Sequence, residues 1–272
     1  MPTEALLFAL AAAVLHAGWN VLLRGSADVE ARTAAALGLS VLLFAPVAAA
    51  TWSVSWAVAP YVAASAALQG TYFALLVVAY RRRELSVVYP IARGSAPLLV
   101  LLGTAVVLGR EVSAESAVGV CLVAVGVVLV RGIRRGVEGV PVALAIGCAI
   151  AGYTLVDKDG LRHAASIPYL ELVTAPVALV AVAVVAARRG TPALRAQLTP
   201  STVVVAVASF GAYVLVLAAL RLAPAPEVAA VRETSVVIAA LLAGTFLRER
   251  VGIERLAGAV AVAAGVALIA LA

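Results

Sequence analysis

Residues 109–130, GREVSAESAVGVCLVAVGVVLV, align without a gap to residues 248–269, RERVGIERLAGAVAVAAGVALI. The register sets Gly119 on Gly258 and Gly126 on Gly265, and continued upstream it sets Arg93-Gly94-Ser95 on Arg232-Glu233-Thr234. Further towards the N-terminus of each copy, Gly70-Thr71-Tyr72 matches Gly211-Ala212-Tyr213, and Ala45-Pro46-Val47 matches Ala175-Pro176-Val177. Ala17-Gly18-Trp19-Asn20 matches Ala151-Gly152-Tyr153-Thr154. All pairs keep the same order, so the chain reads as two copies of one unit, residues 1–135 and 136–272.

What each copy contains follows from composition. Of 272 residues, 64% are hydrophobic and 12% charged, and the mean hydropathy is +1.11. A soluble domain runs near half apolar and a quarter charged, so a water-soluble protein of this make-up would expose far too much apolar surface. Charges and turn residues cut the chain into ten apolar segments, near 5–23, 33–50, 57–79, 86–108, 114–130, 139–156, 168–187, 201–220, 226–247 and 254–272. At ~20 residues per spanning helix, ten spans take about 200 residues and leave roughly 72 for connections and tails. Backbone polar groups in lipid must be satisfied within the segment, so continuous apolar runs read as helices. The expected fold is an all-α integral membrane bundle of ten transmembrane helices, five per copy, with no soluble domain.

An odd number of spans per copy forces the second copy to enter the bilayer from the opposite side. The halves are then inverted repeats about a pseudo-two-fold axis in the membrane plane. Secondary transporters use this architecture, with the substrate near the midplane between repeats.

The net charge of +6 and pI near 9.8 do not point to nucleic acid, because the arginines form short clusters between apolar runs rather than a basic stripe with aromatics. Fourteen lie in odd-numbered connections and four Lys or Arg in even ones; Arg93 and Arg232 complete the twenty. The positive-inside rule puts the odd connections in the cytoplasm of a bacterial-type inner (plasma) membrane and both termini outside. Cys121 and Cys148 sit inside apolar runs and frame neither disulfide nor zinc site. The N-terminus, MPTEALLFAL, lacks a basic leader region and reads as a retained first helix.

The stretch SVVYPIARGSAPLLVLLGTAVVLGREVS resembles the end of the first repeat of EamA-type members of the drug/metabolite transporter superfamily. ETSVVIAALLAGTFLRERVGIERLAGAVAVAAGVALI resembles the end of the second, and HAGWN fits the first helix. The resemblance implies transport of a small solute, with export the more common direction. One departure stands out: where the family has Gly-Glu at the end of the fourth helix, this chain reads Gly109-Arg110-Glu111, and Arg110 aligns with Glu249.

Ionisable residues within spans are costly and mark functional sites by default. Arg93 and Arg232 lead, each about two turns inside its segment and each the other's repeat mate. A guanidinium binds carboxylate or phosphate through a bidentate fork; the alternative is a structural pin to free carbonyls or to Glu233 or Glu171. Arg232 has Glu233 and Thr234 beside it, so Arg93 is expected to be the poorer paired and the better substrate contact. Glu233 is the candidate proton-coupling carboxylate, or else a permanently paired acid. His16, Trp19 and Asn20 share one face of the first helix at i, i+3 and i+4. With Gln69, Tyr72, Tyr153 and Tyr213 they would line a small-molecule cavity; otherwise the aromatics form an interfacial belt and the polar groups bond between helices. Asp157 and Glu171 lie near segment ends, where solvated roles are expected, with Lys158 and Arg162 in the same interfacial loop. Pro90 could kink the fourth segment, without a counterpart in the ninth.

Catalysis finds little support. His16 and His163 are the only histidines, no GxSG is present, and neither clustered metal ligands nor a Walker motif occurs. No catalytic residue, metal or cofactor is assigned. The expected partners are a small-molecule substrate and the bilayer, with no nucleic acid, in a monomer or weak homodimer. The expected activity is secondary transport of a small amphiphilic or anionic metabolite by alternating access; a non-transporting scaffold or sensor with the same fold is the alternative.

Overall fold

In the computed structural model, residues 1–24, 26–81, 85–131, 139–239 and 253–272 are described. They are almost entirely helical: α1 (Thr3–Arg24), α2 (Val29–Ala50), α3 (Ala59–Arg81), α4 (Leu85–Leu102), α5 (Ala114–Arg131), α6 (Val140–Gly160), α7 (Ser166–Arg189), a short α8 (Thr191–Arg195), α9 (Pro200–Leu222), α10 (Ala225–Arg232) and α11 (Ile253–Leu271). Seven described helices are long and apolar enough to cross a membrane, and the stretches Ile91–Val107 and Ala114–Val130 are apolar but shorter. The chain is thus a multi-pass membrane protein.

Local chemistry sets the helix ends. Asp28 caps α2 by accepting from the Ala31 N–H, and Thr199 caps α9 by accepting from the Thr202 N–H with Pro200 in the first turn. Both satisfy donors that a helix start leaves free. Gly190, at φ 79°, ends α7 in a backbone region open to glycine. The repeat-matched Pro46 and Pro176 both lie inside their helices.

One expectation needs correction. Helix α4 includes Pro90. The ninth segment is not one continuous helix: α10 stops at Arg232, Glu233 forms a turn, and helix resumes over 234–239. Two i to i+3 bonds make this turn, Glu233 N–H to Ala230 O and Val236 N–H to Glu233 O, each 2.9 Å. The remainder of that segment, and Glu249 with it, lies outside the described residues.

Helix α1 packs on α9, α3 and α4 on α6, α2 on α7, and α5 on α11. The last contact is the tightest and depends on glycine. A Cβ at Gly126 would stand 2.7 Å from the Gly258 carbonyl oxygen, and one at Gly265 would stand 2.6 Å from that of Gly119. Position 126 meets 258 while 119 meets 265, so the two helices run antiparallel. Missing side chains let the backbones touch, as close helix packing in membranes requires.

The two ends of the bundle are closed differently. At the end carrying connections α2–α3 and α6–α7, the Ser55 N–H donates to His163 O and the Ala165 N–H to Ser53 O, both 2.8 Å. These bonds flank an isolated bridge between Val54 and Ala164, and Tyr61 stacks on His163. Arg110 Nη2 donates to both oxygens of Asp159 at 2.8 and 2.9 Å. Arg110 therefore has its own carboxylate partner. At the other end, Arg189 bridges Asp28 at 2.6 Å and Glu30 at 2.5 Å.

Candidate functional site

One cavity of about 160 Å³ lies inside the bundle, and α1, α2, α3, α4, α6, α7, α9 and α10 all contribute to it. Eight of the nine residues proposed for substrate contact line it: His16, Trp19, Gln69, Tyr72, Arg93, Tyr153, Tyr213 and Arg232. Asn20 stands apart. Its side-chain amide donates to the His16 carbonyl at 2.8 Å, one turn back on its own helix, so it serves α1 rather than the lining.

The wall is aromatic on one side. Tyr72, Tyr153 and Tyr213 follow one another across α3, α6 and α9, with ring centroids 6.4 and 6.0 Å apart and edge-on orientation. His16 and Trp19 meet edge-to-face at 4.9 Å. Val177, Val205, Phe210 and Val216 complete an apolar surface. A mostly apolar wall with a few convergent polar groups is the usual make-up of a small-molecule site.

Both arginines are buried, 6% and 5% exposed, yet their surroundings reverse the expectation. Arg93 is the well-paired one. Its Nε lies 2.9 Å from Glu233 Oε2 as an ion pair, and its Nη2 donates to Ser235 Oγ at 3.0 Å. Glu233 sits at the turn that follows Arg232, with right-handed helical backbone angles, and its carboxylate reaches α4 from there. Arg232 lies in the electrostatic reach of Tyr153, Glu233 and Tyr213, and among the described residues its Nε has no hydrogen-bond partner. The Trp19 indole N–H likewise has none. Arg93 Nε, although 2.9 Å from the Glu233 carboxylate, makes no hydrogen bond either, so among the described residues three buried donors at the cavity lack one, and those of Trp19 and Arg232 also lack a close anion at that atom.

Two acids were misplaced by counting from segment ends. Asp157 is fully buried and accepts from Tyr169 Oη at 2.8 Å and Tyr213 Oη at 2.5 Å. Glu171 is 9% exposed, not solvated. The signal for Asp157 was available, because it lies four residues after Tyr153 and shares its helix face. Lys158 does sit at the helix end, where its ammonium donates to the last carbonyls of α9, Leu220 and Ala223, a favourable place for a cation.

The model of the EamA-like transporter family matches residues 138–271. Through its second half the chain belongs to the EamA-like transporter family. Membership of this family, one of the drug/metabolite transporter superfamily, suggests a transporter. A solved structure described only as "Crystal structure of protein" matches the whole chain at a TM-score of 0.77, covering 100% of this chain and 98% of that one at 16% identity. That likeness concerns the fold alone. No curated protein matches the sequence.

Proposed function

We propose that this EamA-family protein is a secondary transporter that moves a small anionic or amphiphilic metabolite by alternating access through the cavity between its halves. The observation that carries this reading is Arg232, a buried guanidinium opening on an apolar, aromatic-walled cavity built from both halves. A buried cation without a full set of partners is costly, and removing it from water is offset only by good partners. A substrate carboxylate or phosphate would complete the set through the bidentate fork. Arg93, held by Glu233, is the second station. There a substrate anion competes with the protein's own carboxylate, so occupancy is linked to the contact between the halves. Glu233, the sequence-based candidate for proton coupling, fits this exchange better than a proton cycle.

Inverted repeats are part of the proposal, and the packing supports them. Exchanging each helix for its repeat mate turns the α1–α9 contact into α6–α3 and returns α2–α7 and α5–α11 to themselves. The same exchange converts Gly119 against Gly265 into Gly258 against Gly126, both of which occur. The Met1 amino group donates to Ile269 O at 3.2 Å, so both termini lie on one face; the arginine distribution makes that the outside of a bacterial-type inner membrane. The cavity lining extends to Leu23, Thr33 and Val205, towards the arginine-rich end, while the opposite end is tied by the Val54–Ala164 bridge. On this reading the present state is closed to the outside and open towards the cytoplasm, and export is the direction we propose from the family resemblance.

A thermal-shift panel on the purified protein tests the reading. Amino acids, dicarboxylates and phosphate monoesters are added singly, because a ligand that binds only the folded state raises the melting temperature with concentration. At least one anion is expected to do so in the wild type and to lose its effect in Arg232→Lys. A panel without any shift would contradict the reading.

A further inference from the structure

The fully buried Asp157 has no role in the site as described so far, and its surroundings differ from those of the paired acids. Asp159 is held by Arg110, Asp28 and Glu30 by Arg189, and Glu233 by Arg93. Asp157 is held by hydroxyls. Tyr169 of α7 donates to one oxygen and Tyr213 of α9 to the other, and the hydroxyl of Ser65 of α3, itself fully buried, acts on the same carboxylate. Four helices meet on this carboxylate.

Two of these partners lead to the cavity. Tyr213 lines it directly. Ser65 also accepts from Gln69 Nε2 at 3.2 Å, and Gln69 is a lining residue. In the opposite direction, Asp157 lies three residues before the end of α6, beneath the bonds that tie residues 53–55 to 163–165. The carboxylate thus stands between the cavity floor and the closed outer end, where an alternating-access protein exchanges one exposure for the other.

Among the described residues, the neighbouring elements bring other titratable groups, including Arg162, paired with Asp159, and His163, stacked on Tyr61 of α3. Arg93 comes from α4 with Glu233 as its partner, and Arg232 from α10 acts on Asp157 through space. Glu227 of α10 accepts from Ser116. Helix α7 brings Glu171 as well as Tyr169, and α9 brings Arg221, which donates to Ala164 O and Ser166 Oγ. On α6 itself, Lys158 is bonded to α9 carbonyls and Asp159 to Arg110. Among the described residues, no cation donates a hydrogen bond to Asp157.

We propose that Asp157 is the reversible proton-binding site of this protein and that the Tyr213 hydroxyl connects it to the cavity. In the loading step an O–H bond forms on Asp157 Oδ2 as the Tyr213 O–H facing it breaks, and Tyr213 regains a proton from the cavity side. One proton enters, the carboxylate becomes neutral, and no other bond changes. A carboxyl held by neutral hydroxyls can be satisfied in either form, because the protonated acid becomes a donor where the anion accepted. Its use in coupling rests on the transport reading above.

Infrared spectroscopy of the purified protein across a pH titration reads the site without any substrate, through the C=O stretch of a protonated buried carboxylic acid. The band is expected in wild type and in Glu233→Gln and absent in Asp157→Asn; Tyr213→Phe should displace it. If Asp157→Asn fails to fold, Asp157→Glu serves, with the band shifted but still titrating. A band that persists unchanged in folded Asp157→Asn, or that vanishes in Glu233→Gln, overturns the assignment. In proteoliposomes given a mixture of isotopically labelled amino acids and dicarboxylates, Asp157→Asn should exchange them at equal pH and lose accumulation driven by a proton gradient. Accumulation that still follows the gradient in that variant overturns the coupling role. Failure of the transport reading looks different: no labelled compound crosses, yet the band still titrates on Asp157 and the proton site stands.

Discussion

Glu233 of the second half approaches Arg93 of the first to 2.9 Å, and both are buried. A contact between halves at the cavity wall, made by the residue next to Arg93's own repeat mate, divides the labour of the two arginines. Arg93 ties the halves together, whereas among the described residues Arg232 Nε has no hydrogen-bond partner, which is why the proposal gives it the ligand.

Substituting each arginine by lysine separates these roles. Arg232→Lys keeps the charge and loses the fork, so anion binding in a thermal-shift titration should weaken at least tenfold with little change in apo stability. Arg93→Lys should lower apo stability, because one ammonium cannot keep the contacts to both Glu233 and Ser235 that the guanidinium makes across the halves. Melting temperatures and ligand titrations of both variants check this, and the reverse pattern would return substrate contact to Arg93.

The α5–α11 contact predicts which glycines tolerate a methyl group. Gly126→Ala and Gly258→Ala each place a Cβ within 2.7 Å of a backbone atom on the facing helix. Overpacking of this kind costs about 1–3 kcal/mol. Gly18→Ala and Gly70→Ala meet nothing within 4 Å and should melt like wild type, as differential scanning fluorimetry in detergent would record.

Much of this was legible in the sequence, and the failures have physical causes. Apolar runs marked the helices because lipid imposes length and composition, and the repeat register brought Arg93, Arg232 and the three tyrosines to attention before any coordinates. The break at Glu233 left no trace, because neither proline nor glycine stands there; the turn is held by tertiary contacts with α4. Asp157 was misread because distance from a segment end says nothing about what folds over that end. The connection at residues 51–58 covers it, and no local pattern encodes that pairing.

Acid should loosen the arginine-rich end. Burial works in the other direction, but the hydrogen bond from the Ala31 N–H and the Arg189 guanidinium hold the Asp28 carboxyl below its ordinary range. With the folded value depressed, the contribution is complete above the unfolded value of about 3.9 and is lost as pH falls through the folded value. Melting temperature should therefore fall below about pH 4, and Asp28→Asn should flatten that part of the profile.

Arginine placement predicts an orientation that fusions can read. A C-terminal alkaline phosphatase should be active and a C-terminal GFP dark, since the rule puts both termini outside. The opposite pair of results would invert the topology and, with it, the inward direction assigned to the cavity.

The central claim is that the arginine-bearing cavity carries an anion across the membrane. Efflux from proteoliposomes loaded with isotopically labelled amino acids, dicarboxylates and phosphate monoesters tests it most directly, with wild type and Arg232→Lys compared at matched reconstitution. The account predicts saturable, selective efflux of an anionic compound in wild type and its loss in Arg232→Lys. Wild-type vesicles no leakier to any of these compounds than protein-free vesicles would contradict it and leave a non-transporting scaffold or sensor.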